Sequence, residues 1–185
     1  MVILIIAAAI FLIGAVLYNS LIRRKNQIEY AYGAIDAMLK KRYDLIPNLI
    51  EIVKQYMTYE QDTLSKIVAL REQVNVQPGM PAEERIRTED AITNLLGKVR
   101  IAVENYPELK ANTNFIQLQG TWTEIEEQLS AARRTYNSAV TNYNNAVEMF
   151  PSNIIANMMR YTRKEVLAIP EVERQAPNAH DLFNK

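Results

Sequence analysis

The sequence predicts an all-α fold, with an N-terminal transmembrane helix followed by a long antiparallel helical bundle. Its 185 residues include 5 Gly, 7 Pro and no Cys, a composition that favours helices over sheets with many tight turns. The first 22 residues carry no charged side chain. After them, apolar residues recur every three or four positions, which is the period of an α-helix. These observations predict three long bundle helices, the first kinked at Pro47, and a short C-terminal helix.

Charge and motif content argue against nucleic-acid binding and against the common enzyme classes. Lys+Arg and Asp+Glu both number 21, whereas a nucleic-acid binder usually has a basic excess. The single histidine, His180, provides neither the Glu-x-x-His pairs of a di-iron bundle nor a buried base for a nucleophile. The chain has no glycine run of the Walker or Rossmann type. We therefore expect a protein that is not an enzyme, with no cofactor, metal or small-molecule substrate.

Residues 1–22 are predicted to form an uncleaved membrane anchor. As a helix they would extend roughly 33 Å, compared with about 30 Å for a hydrocarbon core. A cleaved signal peptide is the alternative, but it requires a basic residue before the apolar stretch, and none precedes Arg23. The span is marked by Val2, Gly14, Leu17 and Ile22. The charges that follow it, Arg23, Arg24 and Lys25, place the bundle in the cytoplasm and the N-terminus outside.

An apolar seam continues after the anchor. Steps of four and three from Ile28 to Val74 give fourteen positions, of which eleven are apolar. The phase of this seam does not change at Pro47, so we expect one kinked helix from about residue 20 to 75. The alternative is a sharp turn between Asp44 and Pro47 that separates two shorter helices, because proline removes a backbone donor and crowds the preceding turn.

Two charged residues, Arg42 and Glu60, fall on this apolar seam. A buried charge needs a partner, and the favoured interpretation of Arg42 is that only its aliphatic stem is buried. A second interpretation is a polar network of Arg42, Asp44 and Asn48 that holds the kink. Pro47 also leaves the carbonyl near Tyr43 without its helical donor, and a side-chain donor could take that place.

The middle of the chain contains a loop and a second long helix. Residues 75–84 hold three closely spaced breakers, which predict a loop. The helix after it is expected from about residue 82 to 105, where Pro107 ends it. In the link that follows, Asn112 and Asn114 are candidate helix caps.

The third long helix has the most regular pattern, a coiled-coil-like seam in steps of three and four. We expect it to end at Pro151 and to be followed by a short amphipathic helix and an irregular tail. The acidic residues Glu124, Glu126 and Glu127 lie off the seam and are expected on a solvated face. Two Tyr-Asn pairs at a spacing of seven, at 136–137 and 143–144, are interpreted as core phenols with amide partners, or else as a face that binds another helix. The principal seam residues are Phe115, Leu118, Trp122, Ile125, Leu129, Tyr136, Tyr143 and Phe150.

Several motifs together resemble the LemA family, from about Tyr18 to Ala156. They are YNSLIRRKNQIE, LKKRYDLIPNLIEIVKQYMTYE, YPELKANTNFIQLQ, RRTYNSAVTNYNNAV and MFPSNIIA. The resemblance implies a single-pass protein of a bacterial inner membrane, with an anchor at 1–22, a cytoplasmic bundle at 23–160 and a tail at 161–185. The tail departs from the Gly/Phe-rich continuation common in the family. The most diagnostic run comprises Arg42, Tyr43, Asp44, Leu45, Ile46, Pro47, Asn48 and Leu49.

The same resemblance favours a role in binding. Genes of the family often lie beside membrane proteins, including a zinc protease of the HtpX type, and related domains occur in proteins tied to magnetosome membranes. We therefore expect a scaffold or adaptor that binds other membrane proteins, among them such a metalloprotease. The alternative is a homo-oligomer that organises the membrane. Gly14 and the run Ala7 to Ala9 offer small residues for helix packing within the bilayer.

Overall fold

A computed structural model describes residues 1–76 and 82–167, and this part of the chain consists of helices and connections without strands. The all-α prediction is confirmed. The helices are α1 Val2–Lys54, α2 Gln61–Val76, α3 Ala82–Val103, α4 Pro107–Lys110, α5 Thr113–Glu148 and α6 Ser152–Met158. Residues 77–81 of the predicted loop and residues 168–185 of the predicted tail, including His180, lie outside the described residues.

Helix α1 passes through Pro47 without interruption, so the alternative of a sharp turn at Asp44 to Pro47 is wrong. The prediction of one helix to residue 75 is also wrong, because α1 ends at Lys54 and α2 begins at Gln61. Met57, in the connection, is fully buried and anchors the turn in the core. The apolar phase continues across this turn and no Gly or Pro marks it, so periodicity alone did not reveal it.

The chain divides into two compact units, which α1 and α5 both enter. The second unit, Met38–Glu127, contains the end of α1, all of α2, α3 and α4, and the start of α5. Helix α2 packs against α3. The predicted cap at Asn112 is confirmed, because its Oδ1 accepts a hydrogen bond from the Phe115 N–H at 3.1 Å. Asn114 instead lies inside α5, and the predicted link contains the single turn of α4.

The first unit comprises Met1–Ala37 and Gln128–Lys185. Here α1 and α5 run antiparallel, since Tyr32 meets Tyr136 while Arg24, eight residues earlier, donates to the carbonyl of Asn142. The predicted seam of α5 is buried or half-buried up to Tyr143. Its last member is an error: α5 ends at Glu148, and the Phe150 side chain is 78% exposed. The core of this unit contains Leu21, Ile28, Ala31, Ala139, Val140, Tyr143, Val147 and Ala156.

The N-terminal part of α1 carries large apolar side chains that contact little of the protein. Helix α1 is long and apolar enough to cross a membrane. Of the residues that mark the predicted span, Val2 is exposed, whereas Gly14, Leu17 and Ile22 are half-buried. The exposed large apolar residues of this stretch are Val2, Ile3, Leu4, Ile5, Ile6, Ile10, Phe11, Leu12, Ile13 and Val16.

Candidate functional site

A buried arginine joins three helices of the second unit. The Arg42 side chain on α1 is 1% exposed. Its Nη2 donates to Oε2 of Glu89 at 3.1 Å and to Oγ1 of Thr93 at 3.0 Å, both on α3. Its Nη1 donates to Oε1 of Glu126 on α5 at 3.1 Å. The Cζ atom lies 6.0 Å from the centroid of the Trp122 ring. We call these five residues the Arg42 cluster.

The Arg42 cluster corrects three predictions from the sequence. The guanidinium itself is buried, so the interpretation in which only the stem is buried is wrong. Its partners lie on α3 and α5, and neither Asp44 nor Asn48 contributes. Glu126 is 37% exposed and ion-paired, so it is more than part of a solvated face. These three predictions failed for the same reason. Partners on helices that are distant in the sequence leave no periodic pattern around Arg42.

The arrangement is suited to holding helices together. Burial of a charge is costly, and the attraction repays that cost only where hydrogen bonds satisfy the ion. The planar guanidinium reaches acceptors on two other helices at once, which a lysine ammonium would do less well. The Thr93 hydroxyl also donates to the backbone carbonyl of Glu89 at 2.9 Å. This bond holds Thr93 beside Glu89, the acceptor in the ion pair with Arg42. The geometry therefore fixes α1, α3 and α5 at one level of the second unit.

The proline of the motif has a compensating partner. Because Pro47 lacks an N–H, the carbonyl of Tyr43 loses its donor within α1. Nε of Arg71 on α2 donates to that carbonyl at 3.0 Å. The predicted side-chain donor is thus confirmed, although the sequence did not identify Arg71. Tyr43 and Arg71 each lie fourteen positions from Met57 along the chain. The turn at Met57 therefore brings Arg71 back to the carbonyl of Tyr43.

Arg71→Met should destabilise the wild-type protein by about 1.5–3 kcal/mol, the typical worth of a hydrogen bond to a charged group. In a Pro47→Ala background the same change should cost clearly less, because the alanine N–H can bond the Tyr43 carbonyl. Urea denaturation of the four proteins of this double-mutant cycle measures the coupling. Equal costs of Arg71→Met in both backgrounds would contradict this account of Pro47.

Two hydrogen bonds close the end of the second unit at the α1–α2 turn. The Tyr106 hydroxyl donates to Oε2 of Glu60 at 3.0 Å, which gives the seam carboxylate Glu60 its partner. Nδ2 of Asn112 donates to the Tyr56 hydroxyl at 3.0 Å. Burial and the bond to Glu60 raise the pKa of Tyr106 above 10.0. Glu60 was predicted to need a partner because it falls on the apolar seam. In the structure it lies in the α1–α2 turn and not on a helix, and Tyr106 is its partner.

A groove of about 470 Å³ runs between α1 and α5 in the second unit. Its lining includes four side-chain amides, and within residues 1–76 and 82–167 none of them makes a hydrogen bond to another residue. Asn48 of the motif is one of them. The amides are therefore available to a binding partner, in contrast to the two Nη atoms of Arg42, which are both hydrogen-bonded within the protein. The four residues are Asn48, Gln55, Asn114 and Gln117.

In the first unit, two asparagines of α5 bind an extended segment. Nδ2 and Oδ1 of Asn144 pair with the backbone O and N of Lys164, both at 2.9 Å. Asn137 makes the same pair of bonds to Leu167, at 3.0 and 2.8 Å. We call Asn137 and Asn144 the asparagine pair. The predicted phenol–amide pairing is wrong here, since these amides bind peptide groups.

The spacing of the asparagine pair has a simple geometric reason. Seven residues of α-helix rise roughly 10.5 Å, and three residues of extended chain span about 10 Å. Asparagines at 137 and 144 therefore match residues 167 and 164 without strain. Each amide satisfies one backbone N–H and one carbonyl, the groups that an irregular segment otherwise leaves to water. The spacing was visible in the sequence, but the segment that it fits was not.

Asn144→Ala combined with Asn137→Ala should release residues 161–167 while α5 stays folded. The amide protons of Lys164 and Leu167 then lose their acceptors, and their hydrogen exchange should accelerate by at least about tenfold, which corresponds to about 1.4 kcal/mol. Ser138→Ala, at an exposed position between the asparagines, is the control. Unchanged protection of both amides in the double variant would contradict the assignment.

The described residues contain no group of three or more His, Asp or Glu that could hold a metal ion. The bonds of Arg42 and of Arg71 join helix to helix, and the asparagine pair joins a helix to an extended segment. The arrangement of described residues is suited to holding surfaces together.

Comparisons with known proteins place the chain in a family. Protein LemA of Metamycoplasma hominis is 27% identical over 169 residues, which cover 90% of this chain and 75% of that protein. Magnetosome protein MamQ 2 of Paramagnetospirillum magneticum is 22% identical over 172 residues, and MamQ of Magnetospirillum gryphiswaldense is 20% identical over 172. In both MamQ cases the alignment covers 80% of this chain and 63% of the relative's length. Because the family model also matches residues 31–180, this chain belongs to the LemA family.

Proposed function

We propose that the protein is a membrane-anchored scaffold or adaptor, without enzymatic activity, that binds other membrane proteins. The observation that carries the proposal is the continuity of α1. One uninterrupted helix presents exposed apolar residues at its N-terminal end and buried bundle residues from Leu21 to Val53. No flexible linker separates the apolar end of α1 from the helical bundle, so the bundle stays close to the membrane, which suits a scaffold. The three basic residues after the span favour a bundle in the cytoplasm and an N-terminus outside. The family resemblance favours the bacterial inner membrane.

The groove with four free amides is the surface on which a partner protein would bind. Asn and Gln side chains each offer a donor and an acceptor, so they can pair with the backbone or polar side chains of a partner helix. A membrane zinc protease of the HtpX type is the partner class that the family resemblance favours. Its contact with a cytoplasmic bundle would be polar at this groove and apolar within the bilayer.

A second candidate is a homo-oligomer that organises the membrane. Gly14 favours it, because a Cβ placed at this residue would have no neighbour within 4 Å. The face is therefore open to a close approach by another helix, as small residues permit in membranes. The similarity to magnetosome proteins also points in this direction.

The experiment that separates the candidates is the mass and composition of tagged protein extracted natively from its own membrane. A second membrane protein at fixed ratio, lost on Gln117→Arg and retained on Thr135→Arg, would support the adaptor. Gln117 lines the groove, and Thr135 is an exposed residue of the same helix. A large particle of this chain alone, reduced by Gly14→Leu, would support the oligomer. A lone monomer in every extract would contradict both.

A further inference from the structure

The corner between α5 and α6 presents an apolar surface that the core of the first unit does not use. Phe150 is 78% exposed, Met158 is 71% exposed, and Met149 and Ile154 are also exposed. The opposite side of the same corner is buried, with Val147 and Ala156 in the core cluster beside Leu21. Exposed apolar residues that cluster at one end of a domain mark an interaction site.

The contacts of α1 and α5 set the level of this corner. Arg24 of α1 donates to the carbonyl of Asn142 at 3.3 Å, and Lys25 lies 5.9 Å from the Tyr161 ring. Because the helices are antiparallel, α5 continues from Asn142 toward the anchor end of α1. Met149 lies seven residues further on, which is roughly 10 Å along a helix. The exposed corner is therefore level with residues 17–18 of α1, inside the predicted span of 1–22.

Basic residues outnumber acidic ones in the chain segments next to this corner. Stretches 18–25 and 142–167 contain six basic and two acidic residues. One acidic residue, Glu148, accepts a hydrogen bond from Arg163 at 3.0 Å. An apolar tip with a basic rim is the pattern of a surface that enters an anionic headgroup layer. The basic residues are Arg23, Arg24, Lys25, Arg160, Arg163 and Lys164.

We propose that the α5–α6 corner is a second membrane contact, which inserts Met149, Phe150, Ile154 and Met158 into the headgroup and upper acyl region of the same bilayer leaflet that α1 enters. This inference rests on the proposed anchoring by α1. Burial depths of about 5–10 Å are typical of such interfacial elements, and the estimated level of the corner falls in this range. The polar residues Ser152 and Asn157 suit an interfacial position and argue against a second span.

The contact would orient the bundle. A single α-helix can tilt and rotate in a bilayer, and its orientation depends on interfacial anchors. A second apolar contact beside the helix selects one rotation of the first unit about α1. The face of the first unit that meets a neighbouring membrane protein is then fixed by the chain itself.

Single-cysteine labelling tests the proposal, because the chain has no cysteine of its own. Full-length variants Ile10→Cys, Phe150→Cys, Met158→Cys and, as a matched control, Ile101→Cys are labelled with a polarity-sensitive fluorophore. Ile101 is 74% exposed and belongs to the second unit. The variants are reconstituted in phosphatidylethanolamine and phosphatidylglycerol vesicles that carry a nitroxide on the acyl chain. Iodide serves as the aqueous quencher, and circular dichroism checks the fold.

We expect the lipid nitroxide to quench labels at positions 10, 150 and 158 and to leave position 101 unchanged, whereas iodide quenches position 101. If position 10 is quenched by lipid but positions 150 and 158 respond only to iodide, the corner proposal is wrong and the anchor stands. If neither quencher reaches positions 150 and 158, protein covers the corner, most simply a second copy, and the proposal is also wrong. If the nitroxide does not quench position 10, the anchor and the corner both fail.

Discussion

Arg42→Met should lower the free energy of unfolding by about 3–5 kcal/mol, the typical cost of removing one partner from a buried ion pair. Glu89, whose side chain is 5% exposed, loses the guanidinium 3.1 Å away while its carboxylate stays in the interior. The hydroxyl of Thr93 and the carboxylate of Glu126 lose the same donor group. The measurement is urea denaturation of the full chain in detergent, followed by circular dichroism.

The controls for this prediction separate the buried charge from its position on the helix. Lys41→Met changes an exposed neighbour and should stay within about 0.5 kcal/mol of the wild type. Adding Glu89→Gln to Arg42→Met should recover part of the loss, because it removes the remaining buried charge. Arg42→Lys should be intermediate, because an ammonium cannot reproduce the planar fork. A cost below about 1 kcal/mol for Arg42→Met would mean that the cluster contributes little to stability.

Ile6→Arg combined with Ile10→Arg should release the protein from membranes into the soluble fraction. Replacing an apolar residue by arginine near the centre of a span costs about 3–4 kcal/mol, and thus about 6–8 kcal/mol for the pair. Both side chains are exposed in the structure, so the change should leave the helical bundle intact. Alkaline carbonate extraction of cell membranes, with detection of the tagged chain, gives the distribution.

The matched control for the anchor moves the same charges to other exposed apolar residues. Ile101→Arg with Ile116→Arg adds two arginines at positions 74% and 54% exposed, and this variant should stay in the membrane fraction. Retention of the Ile6/Ile10 variant in carbonate-washed membranes would contradict anchoring by α1. Release of both variants would point to a general effect of added charge on membrane association.

Local rules in the sequence predicted much of the fold. The apolar seam of α1 identified its buried face on both sides of Pro47, and Asn112 was identified as the cap of α5. Each of these features depends on residues within a few positions along the chain, so periodicity and capping preferences were sufficient. The turn at Met57 and the exposed Phe150 were missed. In both places the spacing of apolar residues in steps of three and four continues although the helix has ended.

The candidate sites depend on contacts between distant parts of the sequence. Arg42 was singled out because a charge stood on an apolar seam, but its acceptors on α3 and α5 lie 47 to 84 residues away. The missing N–H of Pro47 predicted a side-chain donor for the carbonyl of Tyr43. Only the packing of α2 beside α1 identified that donor as Arg71. The spacing of the asparagine pair was noted, yet the chain segment that it binds lies 20 to 30 residues further on.

The sequence by itself therefore determined the all-α class, the apolar N-terminal segment and the family, because these follow from composition, helical period and local motifs. The tertiary structure decided which buried charge meets which acceptor, which donor satisfies the carbonyl freed by Pro47, and where the α5–α6 corner lies beside α1. The physical reason is that a guanidinium or an amide can be satisfied by many acceptors of equal chemistry. Only the packing of the helices selects one of them.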